Sequence, residues 1–218
     1  HRDLHSFPTR RSSDLANLEL ADGLAAQDAS LGIDFSDGKV AIGSLKARAA
    51  GGDLSVAATI EKGAGGFSLS GSLALDADLA ALNPKAAGRA GLQFEGSGQA
   101  LSPASIINAL TGKGSIKLHD VRHPGPAPAL VADASDAVLA GRMENDAGVI
   151  GKSLAAALGS AAVVAGDKTL PFDVTGGIVK IEPYTIPGPQ GSVRVTTTAS
   201  LSSLGLDSEW QVSAVASP

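Results

Sequence analysis

Leu54-Ser55-Val56-Ala57-Ala58-Thr59-Ile60-Glu61, then a glycine-rich break at 63–66, then Phe67-Ser68-Leu69-Ser70-Gly71-Ser72-Leu73-Ala74-Leu75-Asp76, is the stretch that decides the fold. In the first run Leu54, Val56, Ala58 and Ile60 alternate with Ser55, Ala57, Thr59 and Glu61. In the second, Phe67, Leu69, Leu73 and Leu75 alternate with Ser68, Ser70, Ser72 and Asp76, and Gly71 falls on the apolar side. Side chains of a strand point to opposite faces with period two, so each run predicts a strand with one apolar and one wet face. Glycines between two such runs predict an antiparallel hairpin.

The same grammar extends in both directions. Leu31, Ile33 and Phe35 alternate with Gly32, Asp34 and Ser36, and turn signals stand at Asp22-Gly23, Asp37-Gly38 and Gly51-Gly52-Asp53. Residues 77–89 have weak periodicity and contain Pro84, which predicts a short helical turn and a connection. Leu92 and Phe94 resume a strand ending in Gly96-Ser97-Gly98. Ser102 as cap, Pro103 at the first helical position and the apolar face of Ile106, Ile107 and Leu110 predict a helix stopped by Gly112. A strand is expected from Gly114 to Val121, and the prolines between His123 and Pro128 read as a loop.

From Leu130 to Leu158 the period lengthens. Ile150, Leu154, Ala157 and Leu158 share one helical stripe, although Gly148 and Gly151 cost it about 1 kcal/mol each. A helix near 143–159, laid against the sheet, is expected. Strands then return at Pro171–Thr175, Ile178–Tyr184, Ser192–Leu201 and Leu206–Val215, with a tight turn at Gly176-Gly177. The fold class is mainly β with a few helices (α+β), an antiparallel sheet with its helices on one side and an internal break near 122–166. The chain stops at Ser217-Pro218 just after a strand, which reads as a truncated C-terminus.

Composition narrows the function. Hydrophobic residues make up 44% but aromatics only 3%, so the apolar material is aliphatic and ring-stacking pockets for bases or sugars are scarce. Without cysteine there is neither disulfide framework nor thiolate metal site. A formal charge of −5 argues against nucleic acid, which needs clustered Lys and Arg.

The opening run His1–Leu15, HRDLHSFPTRRSSDL, resembles the in-frame translation of an adapter oligonucleotide used in short-read sequencing. It is read as not native, with the true N-terminus missing and residues 16–218 a fragment of a larger β-rich protein. Setting it aside removes Arg2, Arg10, Arg11, Asp3, Asp14, His1 and His5, moves the formal charge to −6 and abolishes an apparent basic arm.

No motif proposes a reaction. His119 and His123 have a metal-pair spacing that converges only on a helix, whereas Ile116, Leu118 and Pro124 predict strand and loop. Asp133, Asp136, Glu144 and Asp146 form no calcium loop, and no phosphate-binding loop or nucleophile elbow occurs. Neither cofactor nor metal is expected, and the chain is read as no enzyme. The feature left to carry function is the apolar stripe shared by successive strands, which is either a closed core or an open trough.

Several segments resemble the C-terminal region of the AsmA family, the envelope proteins related to TamB. They are Gly32–Val40, Glu95-Gly96-Ser97-Gly98 leading into Leu101-Ser102-Pro103, Leu110–Ile116, Phe172–Val179 and Ile186–Gly191. The resemblance spans 16–218 and departs at the proline run 124–128. It implies a curved sheet forming a repeating β-groove, and a periplasmic protein held at the inner membrane by an N-terminal anchor outside this chain. It further implies phospholipid or another acyl-chain lipid as partner, and a role in phospholipid transport or outer-membrane biogenesis. Leu54, Val56, Ile60, Phe67, Leu69, Leu73 and Leu75 are the candidate groove-facing residues. The competing expectation is a structural or adhesive β-module with a closed core and protein partners.

Overall fold

The structure is a computed structural model that describes residues 9–21, 24–158 and 161–215. The strands are β1 (Thr9–Ala21), β2 (Leu24–Ser36), β3 (Lys39–Ala49), β4 (Gly52–Gly63), β5 (Gly66–Asp78), β6 (Ala87–Ala100), β7 (Thr111–Pro124), β8 (Ala162–Thr175), β9 (Ile178–Gly188), β10 (Gly191–Ser200) and β11 (Gly205–Ala214). They pair antiparallel and in chain order into one open sheet of eleven strands, so every neighbour in space is a neighbour in sequence. That topology is what short turns between alternating runs produce. The turn expected at Asp22-Gly23 lies outside the described residues. Between β8 and β9 the link is Gly176-Gly177, with φ +60° and +72°, the doubly positive conformation a tight hairpin turn requires.

The hairpin that decided the reading forms in the expected register. Leu54 pairs with Leu75, Val56 with Leu73, Ala58 with Gly71 and Ile60 with Leu69, with no shift between the first pair and Gly63–Gly66. Three local expectations are corrected. Gly96-Ser97-Gly98 does not end a strand. It lies inside β6, paired to β5 on one side and, at Gly96 and Ser97, to β7 on the other, because glycine on a crowded face makes room for neighbours. The helix expected from Ser102 is two 3-10 turns, Pro103–Ser105 and Ile107–Ala109. Ser102 caps nothing with its side chain; its carbonyl accepts from the Ser105 hydroxyl instead. In the proline run, β7 continues to Pro124 and Pro128 opens a helix, a position where its missing N–H and fixed φ suit the backbone.

The helices are α1 (Leu79–Leu82), α2 (Pro128–Leu139) and α3 (Ala147–Leu158). Asp78 caps α1 by accepting from the Ala80 N–H. The helix expected against the sheet is α3, but α3 packs on α2, and α2 is the one that touches β10 and β11. The reason is composition: Ala132 and Ala134 of α2 are small enough for close approach and are buried, whereas no residue of α3 is more than half-buried. Beneath α2, Val163, Ile186, Val193 and Val195 form a dry cluster with Tyr184, Trp210 and Val212 against it.

The sheet forks next to this cluster. β8 and β9 pair only from Phe172–Ile181 to Thr175–Ile178. Beyond that β9 carries Pro183 and Pro187, which offer no N–H to a neighbour, so the strands part. The N-terminus of α2 borders the gap, where Pro128 lines a small cavity of about 90 Å³ with Val163, Ile186 and Val193.

Candidate functional site

Directly paired residues of neighbouring strands share a face, so the registers define one continuous apolar surface. One row crosses the sheet as Leu45, Val56, Leu73, Phe94, Gly114, Phe172 and Ile181. The next is Ala47, Leu54, Leu75, Leu92, Ile116 and Leu170. A third, Ile42, Ala58, Gly71, Gly96, Gly112 and Val174, is short in side chains at its centre. Phe94 and Phe172 fill that shortage. Their rings stack at 6.1 Å with 13° between planes, and a Cβ added at Gly96 or Gly112 would meet the ring of Phe94, at Gly114 that of Phe172.

All seven predicted residues lie on this face. Leu54 is buried, and Val56, Ile60, Phe67, Leu69, Leu73 and Leu75 are half-buried. Ala26, Ala29, Ala47, Ala49 and Leu54 form a second cluster against which Leu45, Val56, Leu73 and Leu75 rest. The surface is therefore unevenly covered. At the β10–β11 end α2 lies over it, and Val193 and Val195 are 0% and 1% exposed. At one strand end the 102–110 segment reaches it, since a Cβ at Gly98 would meet the backbone of Ile106 and Ala109. Along β4–β7 the aliphatic side chains other than Leu54, Ala77 and Val121 stay partly open to solvent, while Leu170, Phe172 and Val174 on β8 are buried.

Sequence reasoning missed three participants. Phe94 and Phe172 were read as strand residues, but their pairing depends on Gly112 and Gly114 opposite, which alternation alone does not reveal. Lys168 was missed because β8 was expected from Pro171; the strand runs from Ala162, and Lys168, Leu170, Phe172 and Val174 alternate onto the apolar face. The signal was present in that four-residue alternation.

The opposite face is polar. A recess of about 480 Å³ there is lined by Asp53, Asp76, Arg89, Gln93, Lys117 and His119 among others, side chains of both signs open to water. His119 stays on the strand, its Nδ1 2.8 Å from Oδ1 of Asp167, both side chains more than half exposed. His123 lies four residues further along the same strand, on the far side of a bulge at Asp120. Among the described residues, burial beside Val195 raises the Tyr184 phenol above its ordinary value. No helix among the described residues is long and apolar enough to cross a membrane. Set against models of protein families, curated proteins and solved structures, the chain matches none.

Proposed function

We propose that the chain is a non-catalytic module of the cell envelope, its apolar sheet face part of a hydrophobic β-groove that holds the acyl chains of phospholipid and so serves phospholipid transport or outer-membrane biogenesis. The observation that carries this reading is the uneven cover. The apolar face is continuous from β3 to β8; Val56, Ile60, Leu69, Leu73, Leu75, Leu92 and Ile116 on β4–β7 remain half-buried, whereas Leu54 on β4 and Leu170, Phe172 and Val174 on β8 are buried and α2 lies over the β10–β11 end. A continuous aliphatic sheet face left partly open to solvent marks a place where another apolar body sits. An acyl chain gains roughly 0.8 kcal/mol for each methylene it buries, and the face offers no hydrogen-bonding side chain along Leu54–Ile60 or Phe67–Leu75 to compete with water. From Leu54 to Ile60 the face spans about 20 Å at ~3.3 Å per residue. That exceeds the roughly 15 Å that an acyl chain covers in one leaflet. Periplasmic location and an anchor outside this chain belong to the same proposal and rest on the AsmA resemblance.

The alternative is a β-module with a closed core and protein partners, and the dry cluster under α2 favours it locally. Photo-crosslinking side chains at Val56 and Leu69, with Ser55 and Ser70 on the wet face as controls, separate the two in cells. Lipid adducts at 56 and 69 but not at 55 and 70 are expected. Protein adducts alone, or none on the apolar face, overturn the lipid reading.

A further inference from the structure

The charges of the sheet are sorted by face. In β4–β8 the carboxylates Asp53, Glu61, Asp76, Asp78, Glu95 and Asp173 all take the alternate positions that look away from the apolar face, as do the cations Arg89, Lys113 and Lys117. Asp120 and Asp167 stand at the bulge beside His119. On the apolar face of the same strands the rows contain only two charged residues, and both are basic: Lys62, opposite Phe67 in the β4–β5 hairpin, and Lys168, opposite Leu118. Lys62 is exposed, whereas Lys168 is half-buried with Leu170 and Phe172 next along its strand. An apolar surface that carries no carboxylate along β4–β8 and a half-buried lysine at one strand end is complementary to an amphiphile with a negative head.

We infer that Lys168 is the headgroup site for an anionic lipid whose acyl chain crosses the apolar face from β8 toward β5. Ile116 on β7, Leu92 on β6 and Leu75 on β5 continue the path from Lys168 in adjacent rows, all half-buried. Three strand spacings of about 4.8 Å carry it roughly 14 Å, close to the length of a chain in one leaflet. The 102–110 segment covers the opposite strand end of β6, so the apolar face is left clear of it at the strand end that carries Lys168. This assignment rests on the proposed function and adds the sign of the head and the residue that reads it.

The test uses the full chain with vesicles of phosphatidylglycerol or of phosphatidylcholine bearing the same acyl chains, and measures lipid retained by the protein after gel filtration. The net charge of −5 opposes any general attraction to anionic lipid, so a preference must come from a local contact. Phosphatidylglycerol is expected to be retained about tenfold over phosphatidylcholine, the factor one charge-assisted contact supplies. Lys168→Gln should bring the ratio near one while phosphatidylcholine retention persists. Lys168→Arg should keep the preference, and Lys117→Gln, the same charge change on the wet face, should leave it intact. Equal retention of both lipids by the natural chain, or an unchanged ratio in Lys168→Gln, overturns the headgroup assignment and leaves lipid binding standing. Retention of neither lipid overturns both.

Discussion

Replacing Gly96 by alanine tests whether the Phe94 ring lies on the sheet as described. A Cβ at Gly96 would overlap Cζ of Phe94 and stand 2.9 Å from its Cε1, with the Thr111 carbonyl oxygen also at 2.9 Å. The ring must therefore lift. It is held between Gly96 and Gly112 and stacked on Phe172, a pair contributing about 0.5–1.5 kcal/mol beyond area burial. Overpacking adds roughly 1–3 kcal/mol, and the reduced freedom of alanine in the unfolded chain returns about 0.4–1 kcal/mol. The net expectation for Gly96→Ala is a loss of about 2 kcal/mol, a fall in Tm of roughly 4–8 °C for a domain of this size. Because the main obstacle is the far end of a side chain, Phe94→Leu should relieve most of it, and Gly96→Ala should cost clearly less in the Phe94→Leu background than in the natural chain, the Thr111 carbonyl at 2.9 Å accounting for what remains. Gly114 is the contrast. A Cβ there overlaps Phe172 and also the Gln93 backbone carbonyl, so Phe172→Leu should not rescue Gly114→Ala. Urea unfolding followed by the fluorescence of Trp210, the single tryptophan, measures all of these. A Gly96→Ala variant within about 0.5 kcal/mol of the natural chain, the scatter of an ordinary surface change, refutes the placement of the ring. So does a double variant whose losses simply add.

Four further outcomes follow from the same geometry. Leu73→Asp places a charge on the apolar face and should abolish lipid crosslinking at Val56, whereas Ser70→Asp on the wet face, opposite Thr59 and Ser97, should change neither crosslinking nor stability by more than about 0.5 kcal/mol. Ala132→Leu, at a fully buried position of α2, should cost about 1–3 kcal/mol and shift Trp210 emission as the helix is pushed from β11. Tyr184 is the single tyrosine, so the ultraviolet absorbance of tyrosinate reports it alone; its midpoint should lie above 10.0 in the folded chain. Its folded value is raised, so its contribution to stability is complete below that ordinary value and is lost as pH climbs through the folded one, and a stability rising over that range would contradict the burial. Removing residues 1–15 should lower stability by less than about 1 kcal/mol, because Arg11 and Ser13 stand opposite Ile33 and Leu31 and Leu15–Ala29 is the one apolar pair that Arg11–Leu15 makes with β2. A larger loss would mark those residues as an integral strand.

That mismatch at the first strand shows how far the sequence could be read. From β2 to β8 apolar side chains face one another across most registers, and alternation with glycine turns was enough to place β2, β4, β5, β6 and β7 and the shared face of Leu54, Val56, Ile60, Phe67, Leu69, Leu73 and Leu75, whereas β3 was not singled out and β8 was expected only from Pro171. β1 pairs in good register through Ser13–Leu31 and Arg11–Ile33 although its side chains do not match, which backbone hydrogen bonding permits and side-chain chemistry does not favour. Where local rules failed, a tertiary neighbour had overridden them. Gly96 and Gly98 looked like a flexible ending, but Gly96 sits under a ring and Gly98 beneath the backbone of residues 106–109. Ser102-Pro103 looked like a helix start, but the segment turns back over the sheet end and Ile106 is buried there, leaving no length for regular α-helix.

The same alternation yields two different surfaces, and what separates them is what lies above. Val193 and Val195 alternate as cleanly as Val56 and Ala58, yet the first pair is sealed and the second half-open. The seal depends on a fork that begins where Pro183 ends the pairing of β8 with β9, and on Ala132 and Ala134, small enough to let α2 down onto β10 and β11. Neither feature is part of the strand pattern. An apolar strand face thus states only that something must cover it. In this chain the helix satisfies that demand at β10–β11, whereas on β4–β7 Val56, Leu69, Leu73, Leu75, Leu92 and Ile116 stay half-buried, and the lipid proposed there, with its negative end at Lys168, would supply the cover.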